Sequence, residues 1–175
     1  MMPVPSHLKQ CVVPDSDEID DSALRGVVRC PCGSEHFRML YPGQTHEYKG
    51  EQIPCTAEMD DKFFFLIIAK CSACQAEHLL IDKDFHGWDG LVCHDSEQAA
   101  LPRPPLRPWT CLSCGGVEHQ ACVEIQTEGK ADFVEAVEGE FPDNRWPDGF
   151  GWIDISISCS TCRKATSQWV SYETM

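Results

Sequence analysis

The sequence predicts a mainly β protein, α+β only in small part, built as two tandem lobes of antiparallel strands that are stapled by metal and carry long insertions. Three observations support this. Eight of the twelve cysteines fall into four tight pairs, Cys30/Cys32, Cys71/Cys74, Cys111/Cys114 and Cys159/Cys162. The order of knuckle, strand, polar excursion, strand and knuckle occurs twice, as expected of a duplicated unit. The segments that lead into the second knuckle of each half are β-branched and aromatic and carry no helical stripe.

Residues 1–25 contain Pro3, Pro5 and Pro14 and the acidic stretch from Asp15 to Asp21, a composition that favours a flexible acidic arm or a loosely packed cover. The first lobe, residues 26–95, opens on Cys30-Pro31-Cys32-Gly33-Ser34-Glu35-His36 and leads into a strand. Its run from Lys62 to Lys70 is too short for a membrane span and reads as a buried strand that ends on Cys71. A short strand from His78 to Asp82 follows. Residues 96–107 hold Pro102, Pro104 and Pro105, which restrict the backbone and remove donors, so they read as a semi-rigid linker.

The second lobe, residues 108–175, repeats the plan with Cys111-Leu112-Ser113-Cys114-Gly115-Gly116-Val117-Glu118-His119. From Trp152 to Ser158 isoleucines alternate with Asp154, Ser156 and Ser158, the period of a strand with one wet face, and a last strand is expected over Ser167 to Tyr172. Ala131 to Gly139 is the only plausible helix. Gly33 and Gly115 stand just after the first knuckle of each half, where positive φ turns the backbone so that its amides approach sulfur.

A knuckle places two thiolates on one tight turn, and two knuckles brought together by a hairpin complete a tetrahedron around one Zn²⁺. The expected ligands are Cys30, Cys32, Cys71 and Cys74 for one ion and Cys111, Cys114, Cys159 and Cys162 for another, two Zn²⁺ per chain. The start of the chain is acidic and shows no basic segment followed by an apolar run, so a cytoplasmic location is expected. There thiols stay reduced, and closely spaced cysteines serve as ligands rather than bridges. Cys11, Cys55, Cys93 and Cys122 have no spacing that suggests a site and read as buried free thiols. Cys93-His94, close after His86, is a weaker candidate ligand pair.

This arrangement of cysteines resembles the zinc-ribbon proteins, in which knuckles at opposite ends of an antiparallel hairpin hold one structural zinc. The resemblance implies structural cysteines, and recruitment or recognition by the surrounding loops. Two departures stand out. The knuckles are 38 and 44 residues apart, longer than in compact ribbons, so each hairpin must carry an extended insertion. The first knuckle is CxC, which narrows the bite between its sulfurs and leaves room for His36 or His78 to replace one ligand.

The net charge of −14 comes from 28 acidic and 14 basic residues and is spread over both halves, which argues against a general nucleic-acid binder. Acid interleaved with aromatics suits capture of a basic protein surface. Glu128 to Gly151 has this composition, Pro42 to Asp61 is a second candidate surface, and in His86 to Gly90 the aromatic Trp88 reads as a cap on the lobe's own core before it reads as an anchor for a partner. There is no Gly-rich phosphate loop, no GxSxG elbow and no HExxH helix, so no enzyme is expected. Transcript-cleavage ribbons carry an acidic pair at a hairpin tip, whereas Asp60-Asp61 reads as abutting the strand that follows it.

The expected function is therefore a non-enzymatic protein-interaction module. One form would be an acidic inhibitor, such as the immunity partner of a nuclease toxin. The rivals are a zinc ribbon within a transcription or nucleic-acid-processing complex, with Arg103, Arg107, Arg163 and Lys164 as its only basic concentration, and a redox or metal-handling CxxC protein with an open, low-pKa thiol.

Overall fold

The computed structural model describes residues 2–15 and 22–174. In chain order the strands are β1 (Val12–Pro14), β2 (Ala23–Val28), β3 (Phe37–Tyr41), β4 (Thr45–Tyr48), β5 (Glu51–Pro54), β6 (Ala57–Met59), β7 (Lys62–Phe64), β8 (Leu66–Cys71), β9 (Glu77–Asp82), β10 (Arg107–Pro108), β11 (His119–Gln126), β12 (Trp152–Cys159) and β13 (Ala165–Glu173). The helices are α1 (Gly87–Leu91), α2 (Ser96–Ala99) and α3 (Lys130–Val137), with a 3-10 turn at Asp143–Gly149. The protein is mainly β, with one nine-stranded antiparallel sheet and two separate hairpins, β4–β5 and β6–β7.

The duplication is visible strand for strand. In the first half β3, β8 and β9 form an antiparallel meander, and in the second β11, β12 and β13 form another. Each has a register shift between its second and third strands, at Ile67/Ile68 and at Ile155/Ile157. The meanders meet where Phe37 pairs with His119, the first residues of β3 and β11. The remaining pairings cross between the halves. β2, which leads into the first knuckle, pairs with β11 of the second half through Cys122↔Val27 to Gln126↔Ala23. β10, which leads into the second knuckle, pairs with β3 of the first half through Pro108↔Leu40 and Arg107↔Tyr41. Each half therefore lends the strand before its own knuckle to the other.

These exchanges alter the reading of two segments. Residues 2–15, expected as part of a mobile arm, are packed: Met2, Leu8, Cys11 and Val12 are buried in the core, and β1 pairs with β2. The acidic positions 16–21 lie outside the described residues. Residues 96–107, expected as a linker, begin with α2 and continue to Arg103, whose guanidinium reaches Asp82 at 3.1 Å and also pairs with Asp84. Both carboxylates are buried, so the arginine neutralises charge that would otherwise be costly to hold there.

Phe65, just before β8, stacks on Tyr172 of β13 at a centroid distance of 4.6 Å and so links the two meanders. On the buried face of the sheet β11 and β12 present Val123, Ile125, Ile153 and Ile155, and β3 and β8 add Phe37, Met39, Ile67 and Ala69. The alternation forecast for Trp152 to Ser158 is thus real, although Asp154 is also buried, its carboxylate held by Trp152 Nε1 at 2.9 Å and Gln168 Nε2 at 3.2 Å. The run from Lys62 to Lys70 is two strands, β7 and β8, broken at Phe65.

Trp88 lies on α1 and packs edge-to-face on Phe133 of α3, so it caps the fold's own interior. Gly87 makes this possible. Its φ is +73°, and a Cβ there would overlap the side chain of Thr174, which is fully buried and accepts a hydrogen bond from Trp88 N at 3.0 Å. Gly87→Ala is expected to destabilise the protein by about 2–4 kcal/mol, from strain plus overpacking. Gly50→Ala, with φ +80° but open space around it, should cost only about 1–2 kcal/mol. Urea midpoints of the two variants check this ordering.

Candidate metal centres

Both knuckles of each half are built on the same backbone plan. Cys30 N donates to Ser34 O and Gly33 N to Cys30 O; in the second half Cys111 N donates to Gly116 O and Gly115 N to Cys111 O, all at 2.8–2.9 Å. Gly33 and Gly115 have φ of +92° and +75°, the left-handed turn anticipated for them. The strand-borne knuckles match as well: Cys71 N donates to Ala76 O and Cys159 N to Lys164 O, while Gln75 and Arg163 occupy the same left-handed position at φ 65° and 64°. Ser72 N and Ser160 N complete the parallel by donating to His36 O and Glu118 O.

Folding in this way brings Cys30, Cys32, Cys71 and Cys74 into one quartet, and Cys111, Cys114, Cys159 and Cys162 into another. Within each quartet all four sulfurs lie within 4.8 Å of one another. The closest approaches are 3.5 Å for Cys30–Cys74 and 3.6 Å for Cys32–Cys71, Cys111–Cys162 and Cys114–Cys159. A tetrahedron with Zn–S near ~2.3 Å has sulfur–sulfur edges of roughly 3.8 Å, so the spacing fits a four-thiolate metal site. All twelve cysteines are free thiols.

At one cysteine of each quartet the local backbone favours the thiolate form, while burial holds Cys30 above the ordinary range and, against a hydrogen bond from Gly116 N, the neighbouring sulfurs hold Cys114 there. Burial alone would push the Cys71 thiol up, but the N–H groups of Cys74 and Ala73 donate to its sulfur and bring it below the ordinary cysteine range. At Cys159 the N–H groups of Cys162 and Thr161 do the same against burial. Deprotonated sulfur is what a metal requires. In each quartet two cysteines are buried and two exposed, so one face of each site looks to solvent.

The CxC knuckle closes with four sulfurs, and neither histidine replaces one. His78 Nε2 lies 3.3 Å from Cys30 Sγ, an outer contact to a ligand sulfur, and burial lowers its pKa. His36 Nδ1 bonds Ser160 Oγ at 2.8 Å and so ties the first knuckle to the second half. Cys71, Phe37, His119 and Cys159 form one row across β8, β3, β11 and β12, which puts the two outer cysteines roughly 15 Å apart at strand spacing.

Of the remaining cysteines only Cys11 is buried; Cys55 and Cys122 are half-buried and Cys93 is exposed, contrary to the expectation of buried thiols. Cys55 and Cys93 lie in loops, and Cys122 stands on the face of β11 opposite the buried Val123. His94 turns its Nδ1 to Asp84 O and His86 accepts from Asp82 N, so these histidines are engaged by backbone rather than gathered around Cys93.

Asp60 and Asp61 form the two-residue turn between β6 and β7, with φ of 52° and 61°. They stand at a hairpin tip after all; short acidic side chains tolerate the left-handed turn that closes such hairpins. Phe63 beside them is 55% exposed. In the Glu128–Gly151 insertion the aromatics turn inward, with Phe133 and Phe150 buried and Phe141 and Trp146 half-buried, while Glu135, Glu138, Glu140 and Asp143 stay exposed.

Sequence reasoning passed over His119, whose ring is 1% exposed beside the second quartet and whose pKa burial lowers. Its one signal was its place as first residue of an alternating strand. Among the described residues no helix is long and apolar enough to cross a membrane. No protein-family model, curated protein or solved structure matches this chain.

Proposed function

We propose that this chain is a non-enzymatic, cytoplasmic zinc-ribbon scaffold whose two structural Zn²⁺ ions hold acidic hairpins in place to bind a basic protein surface. The observation that carries this reading is that each metal tetrahedron is complete with cysteine sulfur, so no coordination position is left for substrate. The net charge of −14 supports a basic partner, and the exposed Glu58, Asp60, Asp61 and Phe63 on the β6–β7 hairpin offer it carboxylates around an aromatic anchor. An inhibitor that covers a basic enzyme, as an immunity protein covers a nuclease toxin, is the form of this function that best accounts for the charge.

Affinity capture from the native host at low and moderate salt tests this. The expected result is one basic protein that survives nuclease treatment and associates more slowly as salt rises. Recovery of nucleic acid alone would move the chain into the transcription or nucleic-acid-processing class.

A further inference from the structure

A groove of about 320 Å³ lies between the β4–β5 hairpin and the main body of the fold. Tyr48 and Ile53 reach it from the hairpin, and Phe65, Trp152 and Tyr172 from the body. Four of these five side chains are aromatic. Every residue of β4 is exposed and Tyr48 is 46% exposed, so the hairpin projects and its ring serves the groove rather than the core. Phe65 and Tyr172 are held by their mutual stacking. Trp152 is held by its Nε1, which donates to Asp154 Oδ1 at 2.9 Å. That bond to a buried carboxylate polarises the indole and makes its face more attractive to a cation.

The charge beside the groove points the same way. Trp152 also lines a second hollow of about 490 Å³, where Glu124, Glu128 and Glu173 gather. Glu173 is exposed and stands opposite Trp152 in the β12–β13 register. Arg25 faces Glu124 in the β2–β11 register but reaches Asp15 at 3.7 Å, so this end of the sheet keeps an excess of carboxylate. Among the described residues, neither hollow is lined by a lysine or an arginine. The ammonium of Lys49, at the hairpin turn, sits 4.9 Å from the Tyr48 ring centroid, so one ring of the groove already draws a cation.

We infer that the basic partner docks an arginine in this groove, with its guanidinium flat on Trp152 beside Glu173 and its methylene stem on Ile53 and Tyr172. The inference rests on the reading of a basic protein partner and names the side chain that anchors it. Arginine fits better than lysine because the guanidinium is planar, weakly hydrated and stacks on aromatic faces, whereas an ammonium is a compact and strongly hydrated charge. A neutral side chain would fill the space but gain nothing from the carboxylates beside it.

The test uses the full-length, zinc-loaded protein with tri-arginine, tri-lysine and tri-citrulline peptides as probes, read by NMR shifts of the Trp152 indole and the Tyr48 ring. Tri-arginine should give saturable shifts at both residues and bind about fivefold tighter than tri-lysine. Tri-citrulline, similar in shape but uncharged, should give no saturable shift. Tyr48→Ala, at an exposed position outside the core, should erase most of the preference for arginine. Equal affinities for arginine and lysine, citrulline bound as tightly as arginine, or shifts centred on the β6–β7 hairpin would each overturn the inference. Its failure is separable from that of the wider reading. A basic protein captured from the host whose binding is unchanged by Tyr48→Ala would sink the groove alone, whereas tri-arginine bound as expected with no basic protein captured would uphold the groove as a guanidinium site and sink the wider reading.

Discussion

Cys159→Ala is expected to empty both metal centres rather than one and to unfold the chain in a single transition. Cys159 anchors the second quartet and pairs with His119 at the start of β11. β11 in turn holds β2 along five residue pairs, and β2 runs directly into Cys30 of the first quartet. Losing the second site therefore loosens the strand that presents a ligand of the first. A structural zinc site contributes roughly 10–16 kcal/mol of binding energy to folding, as much as or more than the 5–15 kcal/mol total stability of an ordinary domain. Elemental analysis of whatever variant remains soluble should find close to no zinc, and near-UV circular dichroism should show no residual tertiary signal. One retained zinc with half the signal intact would mean that the halves fold independently despite the exchanged strands. Cys71→Ala makes the reciprocal test, through Phe37 and β3, and chelation of the parent protein should follow the same single transition.

That coupling was not visible in the sequence, for a physical reason. The features read correctly were local: cysteine pairs, knuckle glycines, and meanders whose strands are recognised by alternation and ended by a knuckle. Each is decided within about ten residues. The pairings of β2 with β11 and of β10 with β3 join segments far apart in the chain, and their residues give little sign of it. β10 is Arg107–Pro108 at the end of a proline-rich stretch, and β2 carries Gly26 in its middle. Proline is tolerated in such a place because the short strand needs few ladder bonds, so composition alone suggests a linker.

Buried polar chemistry was hidden in the same way. Asp82, Asp84 and Arg103 form an ion-pair cluster, but in sequence they are two ordinary acids at a strand end and one arginine among prolines. The hairpin-tip position of Asp60 and Asp61 depended on whether the chain turned before or after them. The apolar run beginning at Lys62 did not settle this, because β7 and β8 are separate strands.

Acid should destabilise the protein steeply below pH 6.5, through two half-buried histidines where the N-terminal segment packs against the rest of the fold. His7 and His86 stack face to face at 3.7 Å, with Phe150 behind His7 at 6.1 Å. His7 Nε2 lies 3.1 Å from Leu80 O, and His86 Nδ1 accepts from Asp82 N at 3.0 Å, so protonating that nitrogen would remove the acceptor. Burial is the main reason both rings resist charge. It brings His7 down to about 4 against a smaller opposing pull from Leu80 O and Asp148, and it brings His86 down to about 3, reinforced by His7 and opposed by Asp148. Asp148 is itself engaged by Ser6 N at 2.6 Å and Arg145 Nε at 2.6 Å, which limits what it offers the rings. The sign follows from the lowered values. The unfolded chain takes up protons near pH 6.5 while the folded chain does not, so stability falls as pH drops below 6.5 and levels off only once the folded rings titrate, near pH 4 and 3. At pH 5 the penalty is about 2 kcal/mol for each ring. Loss of metal from protonated thiolates acts in the same direction, so the measurement is a difference. His86→Asn keeps an acceptor for Asp82 N and cannot be charged, and the gap between its urea-unfolding free energy and that of the parent should shift by about 2 kcal/mol in its favour between pH 7 and pH 5. Parallel curves over that range would show that the pair is not what sets the acid limit.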